Sequence, residues 1–261
     1  MKYVGSLFSK MAAYGVALLV AHSAATAQAQ QQQGKAVVRA VRGSAQYSQG
    51  GDWMPLAVDK VLLSGAVVKT APGAQVDLFM DKNGPVVRIT GDTVLALNSL
   101  KFEETGTGET VIETLLNLTN GRILGSVKPL AAASKYEVKI PTGTVGIRGT
   151  EYDISANGVV HIKTGAVDVN WVGQPAPFRV MAGQTFTPPA APGGAPNVGS
   201  TSPAILQELI TQFTEIGGIT IPEKPPITPI KPLVVPPTEP PVSPTTGETP
   251  GSSSPSHPEG T

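Results

Sequence analysis

The chain has 261 residues, of which 40% are hydrophobic and 15% charged, and its 19 Lys and Arg residues balance its 19 Asp and Glu residues. A neutral chain lacks the basic patch that nucleic-acid binding requires, so no nucleic-acid partner is expected. Cysteine is absent, which excludes disulfides, thiolate metal sites and cysteine nucleophiles.

Residues 1–29 are predicted to form an export signal. Lys2 and Lys10 give a positively charged start, and the apolar stretch Met11–Ala21 is shorter than the about 20 residues that a membrane-spanning helix needs. Small residues then alternate as they do at signal-peptidase sites, at Ala25, Ala27 and Ala29. We therefore expect cleavage, no stable membrane span afterwards, and a periplasmic or secreted location in a bacterium; an uncleaved anchor is the alternative.

The next segments are predicted to be a disordered start, residues 30–36, and an all-β domain, residues 37–188. In the domain, apolar and polar residues alternate with period two in short runs separated by glycine. The apolar positions of three such runs are Val76, Leu78 and Met80; Tyr136, Val138 and Ile140; and Val167, Val169 and Trp171. Short strands at this spacing favour a short β-solenoid or a two-sheet stack of antiparallel and solenoid-type strands.

Two turns are predicted inside this region. Asn83-Gly84 is the strongest short-range hairpin signal, because both residues tolerate a positive φ. Asn120-Gly121 interrupts the segment Glu109–Leu124, whose leucine spacing would also permit a helix. Its β-branched residues favour strands, so the segment is predicted to be two strands.

After the β domain, a linker is predicted for residues 189–201, an amphipathic helix for 202–217 and a disordered Pro-rich tail for 218–261. Ser202 suits the N-cap position and Pro203 the first helical position. The helix is expected either to dock on the β domain or to bind a partner with its apolar face, formed by Ile205, Leu209, Phe213 and Ile216.

Glu151 and Asp153 are the candidates for an acid–base pair or a cation site, because residues two apart share one face of a strand. Their neighbours His161 and Lys163 favour instead a solvated, charge-balanced strand face with the histidine at the surface. The chain contains neither a phosphate-binding glycine loop nor a G-x-S-x-G nucleophile elbow. No catalytic residue, cofactor or metal site is predicted, and we expect that the chain is not an enzyme.

The least ordinary run is VKIPTGTVGIRGTEYDIS, Val138–Ser155. Gly146 and Gly149 are expected where φ is positive or where strands approach closely. Arg148, between them, is expected to be buried and to bond a carboxylate or backbone carbonyls at a structural corner; partner recognition is the alternative. Tyr152 is expected to enter the core.

This run resembles the signature of the FecR-type domain. The matching positions are Pro141, Val145, Gly146, Arg148, Gly149, Thr150 and Tyr152. The segments Leu62–Met80, Asn120–Lys128 and Phe178–Thr187 resemble other strands of that family, so the resemblance spans about Val37–Pro188. It implies a β-rich domain outside the cytoplasm, which in the best-known members is the outer half of a transmembrane anti-sigma regulator sensing a TonB-dependent transporter. Because the apolar segment of this sequence is interpreted as a cleaved signal, transmission across an inner membrane is not expected here.

The expected function is that of an exported, non-enzymatic FecR-like domain mediating protein–protein interaction at the cell envelope, in signalling or in surface organisation. A glycan or cell-wall binding module is the alternative, and it would need an exposed aromatic platform built from Trp53, Trp171 and Tyr47. An enzyme using Glu151 and Asp153 is the third possibility.

Overall fold

A computed structural model of the chain describes residues 30–106, 108–191 and 193–217. The export signal predicted for residues 1–29 and the Pro-rich tail predicted for 218–261 lie outside the described residues. Within the described ranges, no helix combines the length and the apolar character needed to cross a membrane.

The described residues form two β-sheets and one helix, which confirms the all-β prediction. In chain order the first strands are β1 (Gln32–Gln33), β2 (Ala36–Arg42), β3 (Ala45–Ser48), β4 (Met54–Pro55), β5 (Val61–Leu62), β6 (Val67–Thr70), β7 (Gln75–Phe79), β8 (Val86–Ile89) and β9 (Val94–Glu104). The remaining strands are β10 (Thr110–Asn120), β11 (Arg122–Ser126), β12 (Lys135–Ile140), β13 (Gly143–Ile147), β14 (Glu151–Ser155), β15 (Val160–Thr164), β16 (Ala166–Trp171), β17 (Phe178–Met181), β18 (Gln184–Thr187) and β19 (Asn197–Ser200). Helix α1 spans Pro203–Gly217.

A ten-stranded sheet and a nine-stranded sheet face each other. The ten-stranded sheet has the order β17-β16-β13-β12-β10-β9-β6-β3-β4, with β1 added beside β9, and the nine-stranded sheet has the order β19-β18-β15-β14-β11-β8-β7-β2-β5. The pairing of β10 with β12 is parallel, whereas the neighbouring pairs β9–β10 and β12–β13 are antiparallel. The two-sheet alternative of the prediction is thus the observed one, and the described residues form no solenoid.

Both sheets contribute side chains to one hydrophobic core. The alternation read from the sequence is confirmed, because the apolar positions predicted for β7, β12 and β16 point into this core, where all but the half-buried Trp171 are at most 1% exposed. The segment Glu109–Leu124 contains two strands, as predicted, but β10 and β11 lie in different sheets. Gly121, with a φ of +83°, occupies the turn at which the chain passes from one sheet to the other.

Helix α1 covers part of the outer face of the nine-stranded sheet. Leu209, Phe213 and Ile216 are buried and form a second apolar cluster with Val86 and Leu124 of the sheet. The predicted cap is also present, since the backbone N–H of the residue at position 205 donates to the Ser202 hydroxyl across 3.4 Å. Of the two expectations for the helix, docking on the β domain is therefore the one observed.

Three segments differ from the sequence-based expectations. The predicted disordered start, 30–36, contains β1 and the first residue of β2, because the backbone at Gly34 bonds the Leu100 carbonyl at 2.7 Å and β1 pairs with β9. The predicted linker, 189–201, contains β19, which pairs with β18. The Asn83-Gly84 hairpin is present between β7 and β8, but its connection includes the 3-10 turn Asp81–Asn83 and buries Asn83.

Candidate functional site: the Arg-Gly-Thr corner

Residues Arg148–Thr150 connect two strands that belong to different sheets. The chain leaves β13 in the ten-stranded sheet and enters β14 in the nine-stranded sheet within these three residues. Thr150 is buried, and its hydroxyl donates to the carbonyl of Ala166 at 2.9 Å. We call Ile147–Glu151 the Arg-Gly-Thr corner. Pro141, the first member of the family motif, lies exposed in the turn between β12 and β13.

Gly149 is a position at which the corner requires glycine. Its φ is +90°, in the region that side chains of L residues rarely adopt. A Cβ built there would lie 2.8 Å from the Cα of Pro129, so a side chain would also collide with backbone. The predicted positive φ is therefore confirmed for Gly149.

Gly146 differs from Gly149, and the expectation for it is wrong. Its φ lies outside the left-handed region, and the nearest atom to a built Cβ is the Asp168 carbonyl oxygen at 3.7 Å. Neither the backbone nor the packing therefore requires glycine at this position. Gly146 pairs with Glu137 on one side and Asp168 on the other, on the outer face of the ten-stranded sheet.

Arg148 is exposed, which corrects the expectation that it is buried. The residue lies at the end of β13, where the alternation of the strand places its side chain on the outer face, opposite to the buried Ile147. One Nη1–H group donates to the carbonyl of Ala132 at 3.1 Å. The predicted bond to a backbone carbonyl thus exists, but the rest of the guanidinium faces solvent.

Tyr152 enters the core, as predicted. It is fully buried, and its hydroxyl lies 3.0 Å from the hydroxyl of Tyr136 in the facing sheet. Burial raises the pKa of both tyrosines. The ring lies over Gly125, where a built Cβ would come within 2.2 Å of it. Gly125 was not among the predicted positions, although a glycine inside an apolar strand is a signal of close approach.

A small groove lies beside the corner. It has a volume of about 100 Å³ and is lined by Ser134, Lys135, Tyr136, Glu137, Gly146, Ile147, Arg148 and Asp168. Its acidic lining residues are both ion-paired, since Glu137 lies 3.2 Å from Lys135 and Asp168 lies 3.1 Å from Arg179. The groove therefore combines a glycine floor, paired carboxylates and the unpaired edge of Arg148.

The carboxylates Glu151 and Asp153 do not form an open pair. Glu151 binds Lys163 at 2.6 Å, but Asp153 is fully buried and accepts from Arg122 Nε at 2.8 Å and Nη2 at 2.7 Å. Arg122 also donates to Glu208 of helix α1 at 3.0 Å. The expectation of a solvated face is wrong here, because the helix covers this part of the sheet.

His161 is half-buried rather than at the surface. Its Nδ1 lies 2.7 Å from the hydroxyl of Thr185 on the adjacent strand. Burial lowers the pKa of His161; the carboxylates of Asp153 and Glu208 oppose this effect and Arg122 adds to it. No group of three or more His, Cys, Asp or Glu residues placed to hold a metal ion occurs among the described residues.

A second ion cluster, not predicted from the sequence, lies under the helix. Arg88 and Asp77 are both 1% exposed, and Arg88 donates to both Asp77 oxygens, at 2.7 and 3.1 Å. Arg88 also donates to Glu215 at 2.8 Å and Gln212 at 3.1 Å on the helix. Burial by itself lowers the pKa of Arg88, but its bonds to Asp77 and Glu215 outweigh that effect and raise it. Opposite charges on adjacent strands, facing an amphipathic helix, are the signal that could have found this cluster.

The three aromatic residues considered for a glycan platform do not share an exposed surface. Tyr47 is buried, and Trp171 packs against Phe186 with ring centroids 5.5 Å apart. Trp53, at 46% exposure, is the one large aromatic residue open to solvent among these three.

These observations define the class of fold as a two-sheet β domain. An Arg-Gly-Thr segment connects a strand of one sheet to a strand of the other. Residues 66–170 match the family model described as FecR protein. The resemblance to the FecR family inferred from the motif is therefore confirmed over those residues.

Two solved structures from Parabacteroides distasonis match part of this chain. Two crystal structures, at 2.50 and 1.65 Å resolution, are described as a candidate anti-sigma factor; both are 14% identical to this chain, with TM-scores of 0.43 and 0.44. The matches cover 55% and 56% of this chain and 63% and 64% of those chains, so this chain spans a little under two thirds of their length. No curated protein is significantly similar to the sequence.

Proposed function

We propose that the chain is an exported, non-enzymatic FecR-like domain that acts by binding another protein of the bacterial cell envelope. The match of residues 66–170 to the FecR family carries this proposal, because that family implies a regulatory interaction in the envelope. Among the roles considered, signalling is thereby favoured over surface organisation. The predicted signal in residues 1–29 supports export to the periplasm or the exterior.

The two sheets differ in how much of their outer face is available to a partner. Helix α1 packs on the nine-stranded sheet, whereas no helix of the described residues packs on the ten-stranded sheet. Its outer face carries rows of alternating charge; Lys101, Glu113 and Lys135 are paired in register on three adjacent strands. Such a surface suits a reversible protein contact, because charged rims favour steering and specificity.

The glycan alternative and the enzyme alternative find less support in the site. A sugar-binding surface of stacked aromatic rings would need more than Trp53, the one exposed ring of the three candidates. A reaction using Asp153 would need the carboxylate to reach a substrate, but that side chain is buried and both its oxygens are bonded to Arg122.

The proposal is tested by photo-crosslinking in cells of the native host. A photoreactive residue is placed at Lys139, exposed on the outer face of the ten-stranded sheet, and, as a matched control, at Gln207, exposed on helix α1. The expected result is one discrete envelope protein crosslinked from position 139 and not from position 207, together with a mature N-terminus near Gln28 or Gln30. A chain retained in the cytoplasm, or no discrete product from either position, would overturn the proposal.

A further inference from the structure

Among the arginines of the described residues, Arg148 alone has no carboxylate oxygen within 4.0 Å. The other five each lie within 4.0 Å of a carboxylate oxygen; they are Arg39, Arg42, Arg88, Arg122 and Arg179. Arg148 instead uses one of its five N–H groups on the Ala132 carbonyl, which holds the guanidinium in place. The remaining donors form a pre-oriented, solvent-facing edge of the kind that binds carboxylates in a forked geometry.

Gly146 forms the floor of the groove beside the free N–H groups of Arg148. A Cβ at this position would project onto the outer face between Glu137 and Asp168, with no atom nearer than 3.7 Å. Since the fold leaves room for a side chain here, the effect of the glycine is to keep the groove open. Adjacent strands lie about 4.8 Å apart, so the opening is as wide as two strand spacings.

The volume of the groove limits what can occupy it. At about 100 Å³ it is well below the about 300 Å³ at which small-molecule pockets begin. It therefore suits a single side chain presented by a partner rather than a complete organic ligand or a sugar.

The charge of the groove favours an acidic side chain. Lys135, Arg148 and Arg179 supply three cations against the two carboxylates of Glu137 and Asp168, and both carboxylates are already paired. An incoming lysine would find no free carboxylate, whereas an incoming glutamate or aspartate meets the free edge of Arg148.

We infer that the groove beside the Arg-Gly-Thr corner is a recognition site for an acidic side chain of a partner protein, with Arg148 as the anchor and Gly146 as the floor. This inference deepens the proposed function, on which it rests for the identity of the partner. It predicts saturable, salt-sensitive binding of carboxylate-rich peptides, because an exposed ion pair is screened by salt.

The test is a titration of the purified, nitrogen-15-labelled chain followed by NMR. The probe is an acetylated and amidated octaglutamate peptide, with octalysine and octaglutamine peptides of the same design as controls. Shifts of the backbone amides of Gly146–Gly149 are expected with octaglutamate alone, and 0.5 M salt (about a 4 Å Debye length) should weaken them. Silent amides at these positions, or equal shifts with octalysine, would overturn the inference.

Two pairs of variants locate the binding. Arg148→Gln is expected to weaken octaglutamate binding about tenfold, while Lys139→Gln, which removes the same charge from the same face, changes it by less than about twofold. Gly146→Ala should weaken binding by filling the floor, and Gly199→Ala, another open glycine position in a strand of the other sheet, should not. Equal weakening by Arg148→Gln and Lys139→Gln would show nonspecific charge attraction and reject the site.

The two proposals can fail separately. Binding that depends on Arg148 together with no crosslinked envelope protein would reject the proposed function and leave the site. A crosslinked partner together with no octaglutamate binding at Gly146–Gly149 would reject the site and leave the proposed function.

Discussion

Asp153 accepts a hydrogen bond on each carboxylate oxygen from the same guanidinium, that of Arg122 on the neighbouring strand. Asp153 is fully buried, while the Arg122 side chain is 33% exposed and extends to Glu208 of helix α1. The bond to Asp153 is the main reason that the pKa of Arg122 is raised, with burial acting in the opposite direction. The negative charge of the buried Asp153 carboxylate is therefore compensated by the guanidinium of Arg122.

Arg122→Ala is expected to lower the free energy of unfolding by about 3 kcal/mol, because it leaves a buried charge unpaired. Urea unfolding followed by circular dichroism measures this loss. Glu208→Gln, at a half-exposed position, should cost less than about 1 kcal/mol. The double variant Arg122→Met with Asp153→Asn should recover part of the loss, since both charges are removed; equal losses for all three variants would contradict the assignment.

Gly149→Val is expected to cost about 2 kcal/mol or more, because it combines a positive φ with a backbone collision at Pro129. Gly146→Ala is the matched comparison in the same motif, and its cost should be within about 1 kcal/mol because an open, extended position accepts a methyl group. Thermal and urea unfolding of both variants measure the difference. Comparable stability of the two variants would refute the distinction between the glycines.

Phe213→Ala is expected to lower the free energy of unfolding by about 3 kcal/mol, because the side chain is 5% exposed between helix and sheet. Ile210→Ala, three residues earlier and 47% exposed, should change it by less than about 0.5 kcal/mol. Hydrogen exchange of the helix amides measures whether the loss arises from release of α1. An unchanged exchange rate in Phe213→Ala would argue against helix docking.

The free energy of unfolding should decrease as the pH falls through the range in which His161 takes up a proton. Its pKa is lowered by burial, so in the folded protein the proton binds less readily than in the unfolded chain. The free energy of unfolding contributed by this residue should therefore decrease as the pH falls below about 6.5, and stop decreasing below the folded pKa. His161→Asn should remove this component of the slope as the pH falls through about 6.5 and below; the same slope in the variant would disprove the assignment.

The fold could be predicted from sequence wherever one face of a strand is buried and the other is not. The alternation in β12 places Tyr136, Val138 and Ile140 inside and Lys135 and Lys139 outside, as the structure has them. Period-two patterning within a strand could not show which outer sheet face is covered by an element that follows in the sequence, such as helix α1. For this reason the pattern of β7 does not indicate that Asp77, on the face opposite to Val76 and Leu78, is 1% exposed.

The candidate site could be located from sequence more easily than it could be interpreted. The glycine and arginine pattern led to the corner, and the positive φ of Gly149 followed from it. The exposure of Arg148 depends on where the alternation of β13 places the residue that follows Ile147, and a motif of turn residues does not contain that information. The partner of Arg148, the Ala132 carbonyl, lies 16 positions away and carries no side-chain signal.

The order of strands in the two sheets also bears on how the domain assembles. Along the chain, hairpins and single strands join one sheet and the other in alternation. Both sheets therefore grow in the direction of synthesis, one from β4 at its first edge to β17 at its last, the other from β5 to β19. Apart from β1, the paired residues farthest apart in sequence are Val37 and Phe79, and short loop closures are associated with faster folding of β proteins. Each new pair of strands therefore finds its neighbours already in place. A chain that emerges from its N-terminus can therefore fold progressively, and helix α1, the last element of the described residues, packs on the nine-stranded sheet after its strands have formed.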